Sequence, residues 1–131
     1  MLQLSIFLEN AKGRLAEALN ILAEFDVNIR ALSLADTKDY GVLRIIVDNA
    51  EEVAEKLKTR NCVVKLTPVW VLPVPDEPGG LAKILNYLVQ EDVIVEYMYD
   101  FRDRKSDQVQ VVLRVRDQEL MKTAVEKYKL L

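Results

Sequence analysis

Two short loops carry most of the chemistry this sequence can offer. Asn10-Ala11-Lys12-Gly13-Arg14-Leu15 and Asp76-Glu77-Pro78-Gly79-Gly80-Leu81 each place an Asx residue three positions before a glycine and then run into leucines at helical spacing. A helix head leaves backbone N–H groups without intrahelical partners and carries the positive end of the helix dipole, which attracts an anion such as an α-carboxylate. Glycine lets a ligand approach the backbone. Asn10 and Asp76 could accept from an α-ammonium, Asp76 with a full charge. Arg14 could add a charge-assisted bond to a carboxylate, where its counterpart Gly80 cannot. The structural reading is simpler: the glycines make a strand-to-helix turn and the Asx residues are ordinary turn formers. Spacing alone favours that simpler reading.

Other chemistries are poorly served. The chain has no histidine, which removes the commonest general base, metal ligand and pH switch together. Its one cysteine, Cys62, allows neither an intrachain disulfide nor a zinc site, and fits a reduced, cytoplasmic setting. Ser5, Ser33 and Ser106 lack an activating base. No catalytic residue, metal site or cofactor is therefore expected. The net charge of −3 and scattered basic residues argue against nucleic acid as a partner. The one basic cluster, Arg102-Asp103-Arg104-Lys105, reads as a solvated hairpin tip. No apolar run approaches the roughly 18 residues of a membrane span. The start, Met1-Leu2-Gln3-Leu4-Ser5, lacks the basic n-region of a signal peptide.

The elements that must position the two loops come from a duplication. With the chain shifted by 66 residues, Gly13, Leu15, Ala16, Leu19, Asn20, Leu22, Asp26 and Val27 fall on Gly79, Leu81, Ala82, Leu85, Asn86, Leu88, Asp92 and Val93, eight identities in fifteen positions. Two repeats follow, 1–67 and 68–131, with the boundary near Thr67-Pro68. Alternation predicts a first strand over residues 2–8 and its equivalent at Trp70, Leu72 and Val74. Leu15, Leu19, Leu22 and Ala23, and Leu81, Ile84, Leu85, Leu88 and Val89, predict a helix after each loop. Val27, Ile29 and Ala31, and Val93, Val95, Tyr97 and Tyr99, read as a second strand. Turns at Asp36–Asp39 and Arg102–Asp107 lead to a third, over residues 41–47 and 108–116. Asn49 and Asp117 read as N-caps of a second helix. Residues 62–67 complete the first repeat with a fourth strand.

The order βαββαβ gives an α+β fold, two ferredoxin-like repeats side by side, each an antiparallel sheet of order 4-1-3-2 with helices on one face. The second repeat should lack most of its fourth strand, leaving its first strand as an edge, where Pro73 and Pro75 are tolerated. Alternatively another chain supplies that strand, with Leu130 and Leu131 reaching across a dimer. Trp70 and Met98 read as core or seam residues, Cys62 as an inert packed thiol opening a buried strand, and Asp36, Lys38 and Asp39 as a solvated turn. At matching positions of strand 2 the first repeat has small Ala31 and Ser33, the second Tyr97 and Tyr99. The tyrosines could orient or stack on a ligand, or simply fill space; either way the two pockets should differ, one binding more tightly.

The segments Asn10-Ala11-Lys12-Gly13-Arg14-Leu15-Ala16 with Phe25-Asp26-Val27-Asn28-Ile29-Arg30, and Asp76-Glu77-Pro78-Gly79-Gly80-Leu81-Ala82 with Glu91-Asp92-Val93-Ile94-Val95-Glu96, both resemble the ACT-domain signature. That signature is an Asx-x-Pro-Gly-x-Leu loop and helix, then a Gly/Asp-Val/Ile-Asn-Ile entry into strand 2. The likeness covers nearly the whole chain twice, and is similar to the stand-alone tandem ACT proteins of bacteria and archaea. Lys12 replaces the usual proline and Ile94 the usual asparagine. The resemblance implies a non-catalytic, amino-acid-binding regulatory module, a homodimer acting on a separate partner enzyme. Its ligand would lie where ACT repeats or chains meet, against Asn10, Ala11, Lys12, Gly13, Arg14, Leu15 and Ser33, and Asp76, Pro78, Gly79, Gly80, Leu81, Tyr97 and Tyr99. Similarity to tandem ACT proteins encoded beside phenylacetate–CoA ligases hints at an aromatic ligand. Two alternatives are a protein-interaction subunit with no small-molecule ligand, and a small enzyme on a ferredoxin-like sheet.

Overall fold

The alternation of Leu2, Leu4, Ile6 and Leu8 produces strand β1 (Leu2–Glu9). It is followed by α1 (Arg14–Glu24), β2 (Ala31–Asp36), β3 (Tyr40–Ile46), α2 (Ala50–Lys58) and β4 (Val63–Pro68). The second series is β5 (Trp70–Pro75), α3 (Gly80–Gln90), β6 (Val95–Arg102), β7 (Gln108–Val115) and α4 (Gln118–Tyr128). A computed structural model describes residues 1–36, 39–102 and 106–131. Lys38 of the expected turn and Asp103, Arg104 and Lys105 of the expected hairpin tip lie outside the described residues; Asp36 and Asp39 are exposed. The chain divides into two compact units, Leu2–Pro68, and Val69–Leu131 with Met1.

The first unit is a four-stranded antiparallel sheet of order β2-β3-β1-β4, the ferredoxin-like order. Its core unites Leu4, Ile6, Leu43 and Ile45 from the sheet, and Val47 just past β3, with Ile21, Leu22, Val53, Ala54 and Leu57 from the helices. The second unit repeats the plan with three strands, β5-β7-β6. Leu72, Val74, Val111, Leu113 and Val115 pack there against Ile84, Leu88, Met121, Ala124 and Val125. Trp70, half-buried, joins this core and donates through Nε1 to Gln118 Oε1 at 2.8 Å.

β5 ends the sheet, and its parity follows from one bond. The Asp76 N–H donates to the Asp107 carbonyl at 3.1 Å, continuing the register in which Pro75 faces Gln108. Opposite residues of an antiparallel pair exchange hydrogen bonds at every second position. Val74, Leu72 and Trp70 therefore bond toward β7, and Val71, Pro73 and Pro75 turn their backbone groups to the outer side. Both prolines thus sit where no ladder bond is lost.

All four helices end alike. Asp26, Asn61, Asp92 and Lys129 take left-handed backbone conformations, with φ of 57°, 63°, 59° and 52°. The next residue then bonds back to the carbonyl five positions earlier: Val27 to Leu22, Cys62 to Leu57, Val93 to Leu88 and Leu130 to Val125, at 3.0–3.2 Å. This is the Schellman motif, whose outgoing apolar residue packs on the helix it has just left. It explains the repeated Asp-Val pair, and it corrects three expectations. Val27 and Ile29 precede β2 rather than belonging to it, and Val93 likewise precedes β6. Cys62 stands before β4, half-buried, and β4 is not a buried strand: Val63 is 65% exposed. Leu130 is buried in the core of its own unit, with only Leu131 exposed, so it does not reach out to another chain.

The two expected N-caps differ. Asp117 accepts from the N–H groups of Glu119 and Leu120 at 3.0 and 3.1 Å. Asn49 occupies the cap position in a left-handed conformation, φ 57°, with no side-chain cap bond, because an extended backbone is what aims a cap oxygen at the first turn.

A clasp ties α3 to α4. Tyr87 and Tyr128 stack at 4.3 Å, the Tyr128 hydroxyl donates to Gln90 and Glu91 carboxamide and carboxylate oxygens at 3.0 Å, and Lys127 Nζ lies 2.6 Å from Glu91 Oε1. The Lys127 hydrogen bond, then that from Tyr128, holds the Glu91 carboxyl below its ordinary 4.5. The Glu91 hydrogen bond raises Lys127 above its ordinary 10.5. A depressed carboxyl stabilises above its unfolded value and loses the contribution as pH falls through the folded one; a raised ammonium loses it as pH climbs past 10.5. The Tm advantage of the wild type over Glu91→Gln should therefore be full between pH 4.5 and 10.5 and shrink on either side. A pH-independent difference in melting scans would contradict this. The effect is modest, since Lys127 is largely in solvent.

Candidate functional site

The two loops fold alike. Gly13 and Gly79 cap α1 and α3 at φ 86° and 83°, the left-handed region that favours glycine. Arg14 N–H donates to Ala11 carbonyl at 3.2 Å and Gly80 N–H to Glu77 carbonyl at 3.1 Å. Glu17 and Lys83 N–H groups bond back to Gly13 and Gly79 carbonyls, at 2.9 and 3.0 Å. Neither helix has a side-chain cap, so the first-turn amides of Leu15 and Ala16, and of Leu81 and Ala82, head their helices uncapped. The capping glycines thus have the structural job the simpler reading gave them.

The loops differ one residue on. A Cβ on Gly80 would overlap the Pro75 carbonyl oxygen and touch Val74, so α3 starts hard against the end of β5. Arg14 stands there in the first unit, and its guanidinium is engaged by Glu17 at 3.1 Å and Glu9 at 3.5 Å.

Beside the head of α3 lies a cavity of about 370 Å³, lined by Val74, Pro75, Asp76, Glu77, Leu81, Met98, Tyr99, Asp100, Val109 and Val111. Its floor is the helix face of the sheet, its far wall β6. Register explains which residues reach it. Val95 pairs with Val115 on the core face, but the ladder then slips by one, so Tyr97 pairs with Arg114 and Met98 with Leu113. This bulge at Glu96 moves Tyr97 to the face away from the helices and brings Met98 and Asp100, opposite Leu113 and Val111, onto the helix face.

Of the expected site residues, Asp76, Leu81 and Tyr99 line this cavity; Pro78, Gly79, Gly80 and Tyr97 do not. Met98, expected in a core or seam, is 42% exposed at the cavity wall. In the first unit Asn10, Ala11, Lys12, Gly13, Arg14 and Leu15 are all exposed. Ser33 pairs with Arg44 on the face opposite Leu32 and Leu34. Those two leucines, the counterparts of Met98 and Asp100, are 54% and 50% exposed. The other serines are structural: buried Ser5 accepts from Gln3 Nε2 at 3.0 Å, and Ser106 accepts from Gln108 N–H at 3.3 Å.

A second cavity, about 240 Å³, opens between α1 and the start of β4 and includes Arg14, Glu17, Arg60 and Cys62. Arg60 is paired with Glu24, which raises its pKa, and burial pushes the Cys62 thiol up, away from the reactive thiolate. Among the described residues no His, Cys, Asp and Glu group is arranged to hold a metal, and no helix is long and apolar enough to cross a membrane.

Comparison with known proteins agrees with the fold. No curated protein matches the chain. Among solved structures, protein BT0572 from Bacteroides thetaiotaomicron superposes with a TM-score of 0.90 at 37% identity, over 98% of this chain and 88% of that one. The ligand-free regulatory subunit of aspartate kinase from Thermus thermophilus gives 0.66 at 15% identity, over 95% and 88%. The regulatory subunit of aspartate kinase from Thermus flavus gives 0.63 at 17%, over 96% and 90%. The last two share the fold. Residues 1–130 match the family described as the ACT domain pair, and the chain belongs to that family.

Proposed function

We propose that this ACT domain pair is a non-catalytic regulatory module that binds a free amino acid at the head of α3. The observation that carries the reading is the cavity itself. Leu81 from the uncapped first turn of α3, an apolar floor and the carboxylates of Asp76, Glu77 and Asp100 line about 370 Å³, within the range of about 300–1,000 Å³ usual for small-molecule sites. An α-carboxylate suits the uncapped amide of Leu81, and an α-ammonium suits the carboxylates of the lining. Regulation then requires that the ligand prefer one of two arrangements of the protein, the preference being passed to a separate enzyme. On the family resemblance alone, we extend the proposal to a cytoplasmic homodimer. The same resemblance implies a ligand where ACT repeats or chains meet, and the lining of the α3 cavity is the part of such a site that the second unit would contribute.

A thermal-shift screen of the twenty amino acids tests this. A ligand at a hundredfold excess over its Kd adds about 2.7 kcal/mol of stability, which moves Tm by several degrees. One or two amino acids should give that shift. A flat response to all twenty would remove the sensor reading and leave the protein-interaction subunit in its place.

A further inference from the structure

From the lining of the same cavity we infer the class of its ligand and its number: an α-amino acid with a large apolar side chain, one per chain. The inference rests on the amino-acid-binding reading above. Val74, Leu81, Met98, Val109 and Val111 form a continuous apolar surface between α3 and the sheet. It offers a side chain no hydrogen-bond partner, so a polar side chain there would be stripped of water without compensation. Asp100 and Glu77 stand at the rim, and the described lining contains no lysine or arginine. Those carboxylates suit an ammonium, with the α-carboxylate left to the uncapped amide of Leu81.

The first unit lacks the same set. Its counterparts of Glu77 and Asp100 are Ala11 and Leu34, and Asn10 replaces Asp76. Leu34 puts an alkyl group where the second unit has a carboxylate, so the duplicated loop there has a helix head and no carboxylate in these three places to hold an ammonium. Leu34 and Asp100 both face the helices of their units, so it is the carboxylate of Asp100, with those of Asp76 and Glu77, that makes the second unit the binding one.

Calorimetry on the full chain tests both halves. Leucine, methionine and phenylalanine should bind with Kd at least tenfold below that of alanine, because each methylene in an apolar pocket is worth about tenfold or more. Serine, aspartate and lysine should bind more weakly still, and the stoichiometry should be one. Asp100→Asn, an exposed position whose ligand-free Tm should not change, should weaken leucine binding tenfold or more. Met98→Ser should narrow the gap between leucine and alanine. Isoamylamine, which is leucine without its carboxylate, should bind far more weakly than leucine. Tightest binding by a polar amino acid, two equal sites per chain, or equal affinity for isoamylamine would overturn the inference while leaving a small-molecule sensor. Silence from all twenty amino acids would overturn the amino-acid reading beneath it.

Discussion

Gly80→Ala should destabilise the second unit by about 3 kcal/mol, the upper part of the range for overpacking a tight contact, and should abolish any ligand response. The added methyl has no room: it would meet the Pro75 carbonyl oxygen, which is backbone and cannot swing aside as a side chain would. Either α3 or the end of β5 must move, and Pro75, Asp76 and Leu81 line the cavity on both sides of that contact. Gly13→Ala is the informative comparison. Space around Gly13 is open, so only its left-handed backbone, φ 86°, opposes the change, at about 1–2 kcal/mol. Urea unfolding followed by Trp70 fluorescence reads the first variant, since Trp70 is the one tryptophan and lies on β5. A Gly80→Ala loss under 0.5 kcal/mol would mean that the contact yields freely.

Leu113→Ala should cost about 3 kcal/mol, within the roughly 2–5 kcal/mol seen for emptying a buried leucine site. Leu113 is 1% exposed on the central strand β7, between Trp70 on β5 and Met98 on β6, with helix residues above it. A unit of this size buries a smaller fraction of its surface than a large domain and has little stability to spare. The loss should therefore appear as a second unit partly unfolded near room temperature, seen in the Trp70 emission. Val89→Ala, at a position 70% exposed on α3, should stay within about 0.5 kcal/mol. Equal losses at the two positions would show that the core assignment is wrong.

The duplication made most of the fold legible. Gly13 and Gly79, and Asp26 and Asp92, recur because each must adopt a left-handed backbone at a helix boundary, a requirement that few residues meet. Leu72, Val111 and Leu113 were readable as core because alternation has one meaning along a half-buried strand. The candidate site was less legible, and the cause is local. Val93, Val95, Tyr97 and Tyr99 look like one uninterrupted face, but the extra residue Glu96 reverses the parity midway. Sequence alternation therefore pointed to Tyr97, while the cavity is walled by Met98 and Asp100. A bulge has no composition signal comparable to a glycine turn. Asn49 failed as a cap for a related reason: its type suits the role, but its backbone does not.

The prolines of β5 have one more consequence. Along the outer side of that strand, Pro73 and Pro75 have no amide hydrogen, and the Pro75 carbonyl already receives the Glu77 N–H at 2.9 Å. Val69 is engaged by Met1, through a 2.9 Å bond from its amide and a 3.4 Å bond to its carbonyl. Among the described residues, that side keeps one unengaged donor, at Val71, beside the carbonyls of Val71 and Pro73. A stray extended chain laid along this edge would find one full pair of bonds, at Val71, and a lone acceptor at Pro73, which makes it a poor template for the runaway strand addition that seeds fibres.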